Sequence, residues 1–183
     1  PEWLEFRRVL FRSVLMKEKY DVPIAPQSEF VSYMMEQMSH FGLPCTEEQA
    51  KDFYLYYAHM IETNKYLNLT GITDMKEVVI KHMIDSLSCY DSEIIKSGMT
   101  IIDVGTGAGF PGIPLAIYDR SLKVTLFDSL KKRLTFLESI IDKLKLTNCT
   151  TLHGRAEDLS HQDYRESFDI ATSRAVADRK SVV

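Results

Sequence analysis

Three alternating glycines and two carboxylates form the stretch of this sequence that is best suited to chemistry. Gly105, Gly107 and Gly109 come directly after an apolar run that contains Asp103, and Asp128 closes the next apolar run. Glycines permit a tight turn and let the backbone approach a ligand closely. Carboxylates at strand ends can accept hydrogen bonds from ligand hydroxyl groups or balance a positive charge. The pattern therefore predicts a site for a nucleotide-like ligand.

The residue at position 110 separates two classes of nucleotide site. The dinucleotide fingerprint Gly-x-Gly-x-x-Gly would require glycine where Phe110 stands, which counts against NAD or FAD. The spacing Asp-x-Gly-x-Gly-x-Gly instead resembles the first motif of class I methyltransferases, which bind S-adenosylmethionine. Asp103 then suits the cationic methionine end, directly or through water, and Asp128 suits bidentate hydrogen bonding to ribose hydroxyls. Asp128 alone would also fit a nicotinamide enzyme.

A second set of polar residues precedes the glycines. His82, Asp85 and Ser86 share one face of a predicted helix, where they could bind a substrate beside the cofactor. The alternative is a capping or surface network that packs this helix on the next domain. Arg174 follows the fourth predicted strand and could hold a phosphate or carboxylate, although an ordinary ion pair is the competing interpretation. No acid–base pair suggests itself, so we name no catalytic residue.

The elements that must position these residues change character at position 99. Helical spacing of apolar residues predicts helices over residues 28–41, from Thr46 to about residue 63, and over 76–90. After them come predicted strands 100–104, 123–127, 150–153 and 168–172, with helices over 110–118 and 129–144. Alternation of strands and helices predicts an α/β fold with a parallel sheet and helices on both faces. The three cysteines have no metal-ligand spacing, and we predict no metal site.

Both ends of the chain resemble translated sequencing adapters. We therefore expect residues 1–15 and 178–183 to be a non-native leader and tail, around a helical N-terminal region (16–98) and a partial methyltransferase domain (99–177). Each end carries a net charge of +1, so the body between them has a formal charge of −6 rather than −4. An acidic body does not by itself indicate nucleic-acid binding. No apolar run is long enough for a membrane helix, so no membrane partner is expected.

Several motifs together resemble the RsmG (GidB) family of bacterial 16S rRNA guanine-N7 methyltransferases. The resemblance runs from about residue 27 to residue 177 and rests on the following stretches: N-x-x-x-N-L-T at 64–70, Lys81-His82, Asp85-Ser86-Leu87, the 103–112 turn ending Gly-Phe-Pro-Gly, Asp128-Ser129-Leu130, Lys132-Arg133, Phe136-Leu137, Arg155-Ala156-Glu157 and Ser173-Arg174-Ala175-Val176-Ala177. The family continues for several further strands, so the resemblance implies an incomplete sheet here.

The resemblance implies a class I, Rossmann-like methyltransferase fold. It makes Gly105, Phe110, Ala156, Glu157 and Arg174 cofactor contacts and implies methyl transfer to guanine N7 of 16S rRNA or a small-subunit precursor. We expect a cytoplasmic protein, monomeric, and weakly active or inactive at this length. Two functions compete with this one. The first is a methyltransferase that acts on a protein or small molecule, and the second is a nonenzymatic module that binds S-adenosylmethionine or RNA.

Overall fold

A computed structural model describes residues 22–155 and 167–174 of the chain. Two long helices come first, and they are followed by a segment of three short helices and then by alternating strands and helices. The helices are α1 (Gln27–His40), α2 (Glu47–Leu67), α3 (Met75–Val78), a π-helix (Val79–Ile84), α4 (Asp85–Leu87), α5 (Gly112–Tyr118) and α6 (Lys131–Lys143). The strands are β1 (Thr100–Val104), β2 (Lys123–Asp128), β3 (Cys149–His153) and β4 (Ile170–Thr172).

Helix α2 begins where its capping residues predict. Thr46 Oγ1 accepts a hydrogen bond from Gln49 N at 3.1 Å, and the Gln49 side chain accepts one from Thr46 N at 2.8 Å. This reciprocal capping box satisfies two amides that the helix itself cannot satisfy. The helix then runs for 21 residues, past the predicted end, until Asn68 adopts a left-handed conformation. Its buried face includes Tyr56, which the spacing of apolar residues did not single out.

The predicted third helix is wrong in its detail. Instead of one α-helix over 76–90, a six-residue π-helix from Val79 to Ile84 lies between two short α-helical pieces, and helical structure ends at Leu87. A π-helix bonds residue i to i+5 and is often found at functional sites. His82 lies on this wider turn and Asp85 directly follows it. Apolar spacing alone could not distinguish this backbone from an ordinary α-helix.

The predicted parallel α/β sheet is confirmed. The four strands have the order β3-β2-β1-β4, and every neighbouring pair is parallel. Asp103 in β1 pairs with Leu126 in β2 and with Thr172 in β4, which brings the strand ends to one edge. Crossovers between parallel strands are almost always right-handed, which places α5 and α6 on the same face, and helix α2 contacts both of them. The predicted helices on the second face are not tested here, because the segment before β4 lies largely outside the described residues.

A single hydrophobic cluster joins the N-terminal helices to the sheet. Helix α2 contacts both α5 and α6, so the first helices cover the helical face of the sheet rather than standing apart. Arg120 adds a polar link, with hydrogen bonds to Asp52 and to the carbonyls of Leu144 and Lys145. Phe41 and Leu130 lie outside this core, since each is 52% exposed. In the described part of the chain, no helix is long and apolar enough to cross a membrane.

Candidate functional site

The backbone amides of the glycine turn after β1 donate to acceptors within the protein. Gly105, Gly107 and Gly109 have φ angles of 71°, 62° and 105°, in the left-handed region that favours glycine. The amides of Gly105 and Thr106 both donate to Phe127 O, and those of Gly109 and Phe110 both donate to Thr106 O. Gly107 N donates to the Asp128 carboxylate at 3.0 Å. Five of the six amides from Gly105 to Phe110 are thus bonded, and such a turn is poorly suited to cradle a diphosphate, which needs free donors.

The carbonyl groups of the same turn are available instead. Within the described residues, no hydrogen-bond donor reaches the carbonyl oxygens of Gly105 and Gly107. A Cβ added at Gly107 would meet only Gly105 O, at 3.9 Å, so the space above the turn is open. Free carbonyls beside open space suit a ligand that donates hydrogen bonds or carries positive charge. The methionine end of S-adenosylmethionine, with its ammonium group, fits these two acceptors better than a dinucleotide phosphate does.

Asp103 lies underneath the turn rather than on its open side. Its side chain is fully buried, and Oδ2 accepts hydrogen bonds from Thr106 Oγ1 at 2.6 Å and Gly112 N at 2.8 Å. The other oxygen, Oδ1, is buried and has no partner among the described residues. Burial raises the pKa of Asp103 to about 6, against the lowering effect of the two hydrogen bonds. The contacts of Asp103 therefore close the turn, and its predicted contact with the cofactor stays a prediction.

Asp128 joins the end of β2 to the turn. Its two oxygens accept from Gly107 N at 3.0 Å and Leu130 N at 2.8 Å, and Arg133 lies 3.4 Å away. Asp128 is only 3% exposed. Each carboxylate oxygen has two acceptor positions, so hydrogen bonds from ligand hydroxyls would add to these contacts. The predicted ribose contact is untested and stays a prediction.

Gly109 serves the packing of the turn. A Cβ at this position would stand 2.7 Å from Ile113 Cγ1, 2.9 Å from Leu137 Cδ2 and 2.9 Å from the Tyr56 hydroxyl. Tyr56 also donates to Ala108 O at 2.6 Å, so helix α2 fixes the turn from behind. The absent side chain at Gly109 is what lets α2, α5 and α6 meet under the turn. Its predicted role as a cofactor contact has no geometric support beyond its place in the turn.

Phe110 brings the predicted polar residues together. Its ring stacks on His82 with centroids 4.6 Å apart and an angle of 17° between the planes. The Arg174 guanidinium lies 4.9 Å from the Phe110 centroid, within the range of a cation–π contact. Arg174 also contacts His82 Nδ1 at 3.1 Å and Asp85 Oδ2 at 3.2 Å. Residues 82, 85, 110 and 174 thus form one cluster across the two halves of the chain.

The remaining predicted site residues are Ser86, Asp85 and the two adenine contacts. Ser86 is only 1% exposed, and its hydroxyl donates to His82 O within the helical segment. Its predicted substrate contact stays a prediction. Asp85 is exposed. Ala156 and Glu157, the predicted adenine contacts, lie outside the described residues.

The sequence motifs predicted no role for Asn64 and Thr70, which are linked to this cluster by hydrogen bonds. The Asn64 side chain donates to Thr70 O and accepts from Thr70 N, both at 2.9 Å, and Thr70 Oγ1 lies 2.8 Å from His82 Nε2. Asn64 and Thr70 belong to the N-x-x-x-N-L-T stretch, so the motif was visible although its contacts were not. Asn64 is only 1% exposed. A polar residue at a core position of a helix normally has a fixed hydrogen-bond partner, and this feature of the sequence could have indicated the role of Asn64.

The curated relatives of this chain described here share one name. A "Ribosomal RNA small subunit methyltransferase G" of Lachnoclostridium phytofermentans is 48% identical over 147 residues, covering 80% of this chain and 61% of the relative. The protein of the same name from Leuconostoc mesenteroides is 47% identical over 152 residues, covering 81% of this chain and 63% of the relative. The chain thus spans less than two thirds of the length of these curated relatives.

Similarity to solved structures is weaker. A crystal structure of a SAM-dependent methyltransferase from Aquifex aeolicus is 28% identical, with a TM-score of 0.33, over 45% of this chain and 47% of that one. The class I methyltransferase fold therefore rests on the observed strand order, which is the Rossmann-like order 3-2-1-4, and on the family. The family model described as rRNA small subunit methyltransferase G matches residues 49–183. The chain belongs to the rRNA small subunit methyltransferase G (GidB) family.

Proposed function

We propose that this chain carries the cofactor site of an enzyme that transfers a methyl group from S-adenosylmethionine to N7 of a guanine in small-subunit (16S) rRNA. The supporting observation is a turn with open carbonyls and internally bonded amides, in a chain of the rRNA small subunit methyltransferase G family. The open carbonyls favour a cationic ligand over a dinucleotide. The family supplies the substrate class. The substrate is the 16S rRNA or a precursor of the small subunit, and the enzyme works as a cytoplasmic monomer.

The residues around the turn would hold the cofactor. Carbonyl oxygens of Gly105 and Gly107 would accept from the ammonium group, and Asp128 would accept from ribose hydroxyls. Phe110 and Arg174 would bound the site on the side of the N-terminal helices. Ala156 and Glu157 remain the proposed contacts of the adenine edge. Asp103 would act indirectly, by keeping the turn closed through Thr106 and Gly112.

This reaction needs alignment more than proton transfer. S-adenosylmethionine supplies an electrophilic methyl group when it is bound. Guanine N7 has an in-plane lone pair and no proton to remove, so the chain need not provide a general base. Holding the two reactants in line can contribute on the order of 7–11 kcal/mol to lowering the barrier. We therefore assign His82 and Asp85 to positioning and substrate approach, and we assign no residue to proton abstraction.

Cofactor identity is tested by calorimetry. Because the chain covers 61% to 63% of these relatives, we assign turnover to the full-length gene product and expect weak or no turnover from these 183 residues. The full-length product should bind S-adenosylmethionine and not NAD⁺, and Asp128→Asn should weaken binding by roughly tenfold, since hydrogen bonds to a charged group are worth ~1.5–3 kcal/mol. Equal affinity for NAD⁺, or no binding of S-adenosylmethionine, would refute the cofactor assignment.

A further inference from the structure

Four groups surround the Arg174 guanidinium in the described part of the chain. Its Nη1 lies 3.3 Å from Lys81 O and 3.2 Å from Asp85 Oδ2, and its Nη2 lies 3.1 Å from His82 Nδ1. The Phe110 ring lies against it, with 4.9 Å between the guanidinium carbon and the ring centroid. Three of these groups come from the π-helix and the residue that follows it, so the N-terminal half of the chain fixes an arginine of the C-terminal half.

The contact between Arg174 and His82 determines which ring nitrogen of His82 carries the hydrogen. A guanidinium only donates hydrogen bonds, so Nδ1 of His82 must accept and must carry no hydrogen. The single hydrogen of the neutral ring then lies on Nε2, which donates to Thr70 Oγ1 at 2.8 Å. Asn64 fixes Thr70 in turn, through both backbone groups of that residue. A continuous chain of hydrogen bonds therefore links Asn64, Thr70, His82 and Arg174.

The surroundings of His82 favour its neutral form. The ring is 9% exposed and stacks on Phe110. Burial is the main cause that lowers the pKa of His82 to about 4, and the positive charge of Arg174 acts in the same direction. The Asp85 carboxylate and the Lys81 backbone oppose this lowering. Thr70 and Phe110, the other groups against the ring, are uncharged. At neutral pH the imidazole is therefore able to accept from Arg174.

We propose that His82 is a positioning residue, whose neutral imidazole, oriented by Thr70, holds Arg174 across the Phe110 ring in the one orientation that meets the cofactor. The proposal rests on the proposed function, in which Phe110 and Arg174 border the S-adenosylmethionine site. An arginine side chain has many rotamers, and fixing it before the ligand arrives removes part of the entropic cost of binding. His82 thus acts on the cofactor through Arg174 and does not touch the reacting atoms.

Two substitutions of His82 separate its two hydrogen bonds. His82→Asn places an amide oxygen near the position of Nδ1, where it can still accept from Arg174. His82→Gln places its amide near Nε2, where it can still donate to Thr70, but it leaves Arg174 without that acceptor. Both variants lose the ring stacking on Phe110, so they differ only in which of the two hydrogen bonds is kept. Thr70→Val keeps the shape of residue 70 and removes the acceptor of the Nε2–H group.

The experiment combines calorimetry with nitrogen NMR on the full-length gene product. Wild-type His82 should show an unprotonated Nδ1 and a protonated Nε2 at neutral pH, and Arg174 should show restricted rotation of its guanidinium. We expect Kd for S-adenosylmethionine to rise roughly tenfold in His82→Gln and clearly less in His82→Asn, as expected from the loss of one pre-ordered side chain. Thr70→Val should leave the Nε2–H group without its acceptor, loosen the ring and weaken binding to an intermediate degree.

The outcomes that contradict the proposal are distinct from those that contradict the proposed function. A protonated Nδ1 in a wild-type protein that binds S-adenosylmethionine normally would overturn the positioning role alone. Equal affinities of His82→Gln and His82→Asn, with Arg174 restricted in both, would also overturn it. Failure of the wild-type protein to bind S-adenosylmethionine would overturn the proposed function itself, and with it the cofactor half of this proposal.

Discussion

At the scale of single residues, the site depends on one buried acid whose charge is costly. Asp103 is fully buried, and its Oδ1 has no hydrogen-bond partner within the described chain. A charged carboxylate in such a place is disfavoured unless it is fully bonded. Two donors on Oδ2 reduce this cost without removing it, and the pKa of Asp103 rises to about 6. The turn is therefore held by a group that is most stabilising when it is protonated.

We predict that Asp103→Asn makes folding stability less dependent on pH. Since the native pKa of Asp103 is about 6 and its ordinary value is 3.8, its stabilising contribution is complete below pH 3.8 and is lost as the pH rises through about 6. The free energy of unfolding of the wild type, relative to that of Asp103→Asn, should thus fall by up to ~3 kcal/mol over this interval. Urea unfolding at several pH values measures this difference.

Comparing the wild type with Asp103→Asn cancels the contributions of all other titrating groups to the pH dependence. The amide of Asp103→Asn adds a cost or gain of its own, but that difference does not vary with pH. Parallel stability profiles of wild type and Asp103→Asn across this pH range would show that Asp103 is not perturbed. A wild type that gains stability relative to the variant as the pH rises would reverse the sign of the expected effect.

Tyr56 gives a second prediction at this scale. Its hydroxyl is buried and donates to Ala108 O at 2.6 Å, whereas the Tyr57 hydroxyl only accepts from Ala25 N, at 3.3 Å. Tyr56→Phe leaves a buried carbonyl without its donor, which costs ~1–3 kcal/mol, while Tyr57→Phe should cost less than about 1 kcal/mol. Chemical denaturation followed by circular dichroism compares the two. Equal losses would mean that the Tyr56 hydroxyl does not anchor the turn.

At the scale of elements, α2, α5 and α6 meet under the glycine turn because Gly109 has no side chain. Gly109→Ala would push a Cβ to within 2.9 Å or less of Ile113, Leu137 and Tyr56, whereas a Cβ at Gly98 would meet nothing within 4 Å. Both glycines have positive φ angles, 105° and 83°, so both variants carry backbone strain. Gly98→Ala is therefore a matched control for the packing effect.

We expect Gly109→Ala to lose ~1–3 kcal/mol more stability than Gly98→Ala, the usual cost of overpacking a core. It should also weaken S-adenosylmethionine binding, because the turn must shift to make room. Thermal and urea unfolding measure the first effect, and calorimetry measures the second. Similar stabilities of the two variants would show that the elements beneath the turn can move apart at little cost.

The elements also show why the sequence predicted some features and not others. Strand β1 matches its predicted residues 100–104, because a short apolar run before glycines allows few alternatives. The π-helix escaped prediction, since apolar residues three and four apart fit both an α-helix and a π-helix. The cluster of His82, Phe110 and Arg174 joins residues up to 92 positions apart. Motifs named its members, but only tertiary packing could bring them together.

At the scale of the whole molecule, the N-terminal helices and the sheet share one core, and the proposed cofactor site lies where they meet. A ligand that binds at their junction should therefore stabilise both. We predict that S-adenosylmethionine at ~100 times its Kd raises the free energy of unfolding of the full-length product by about 2.7 kcal/mol. Thermal unfolding with and without cofactor measures this, with NAD⁺ as the control ligand. Equal stabilisation by NAD⁺ would contradict the assignment of the site.

The most direct test of the central claim follows the methyl group itself. The full-length gene product is incubated with methyl-labelled S-adenosylmethionine and small ribosomal subunits that lack guanine N7 methylation, and the rRNA nucleosides are then separated by mass spectrometry. We predict that the label appears in N7-methylguanosine of the small-subunit rRNA, and that His82→Gln supports slower incorporation than His82→Asn. Label in another nucleoside, in ribosomal protein, or in no product would contradict the proposed function.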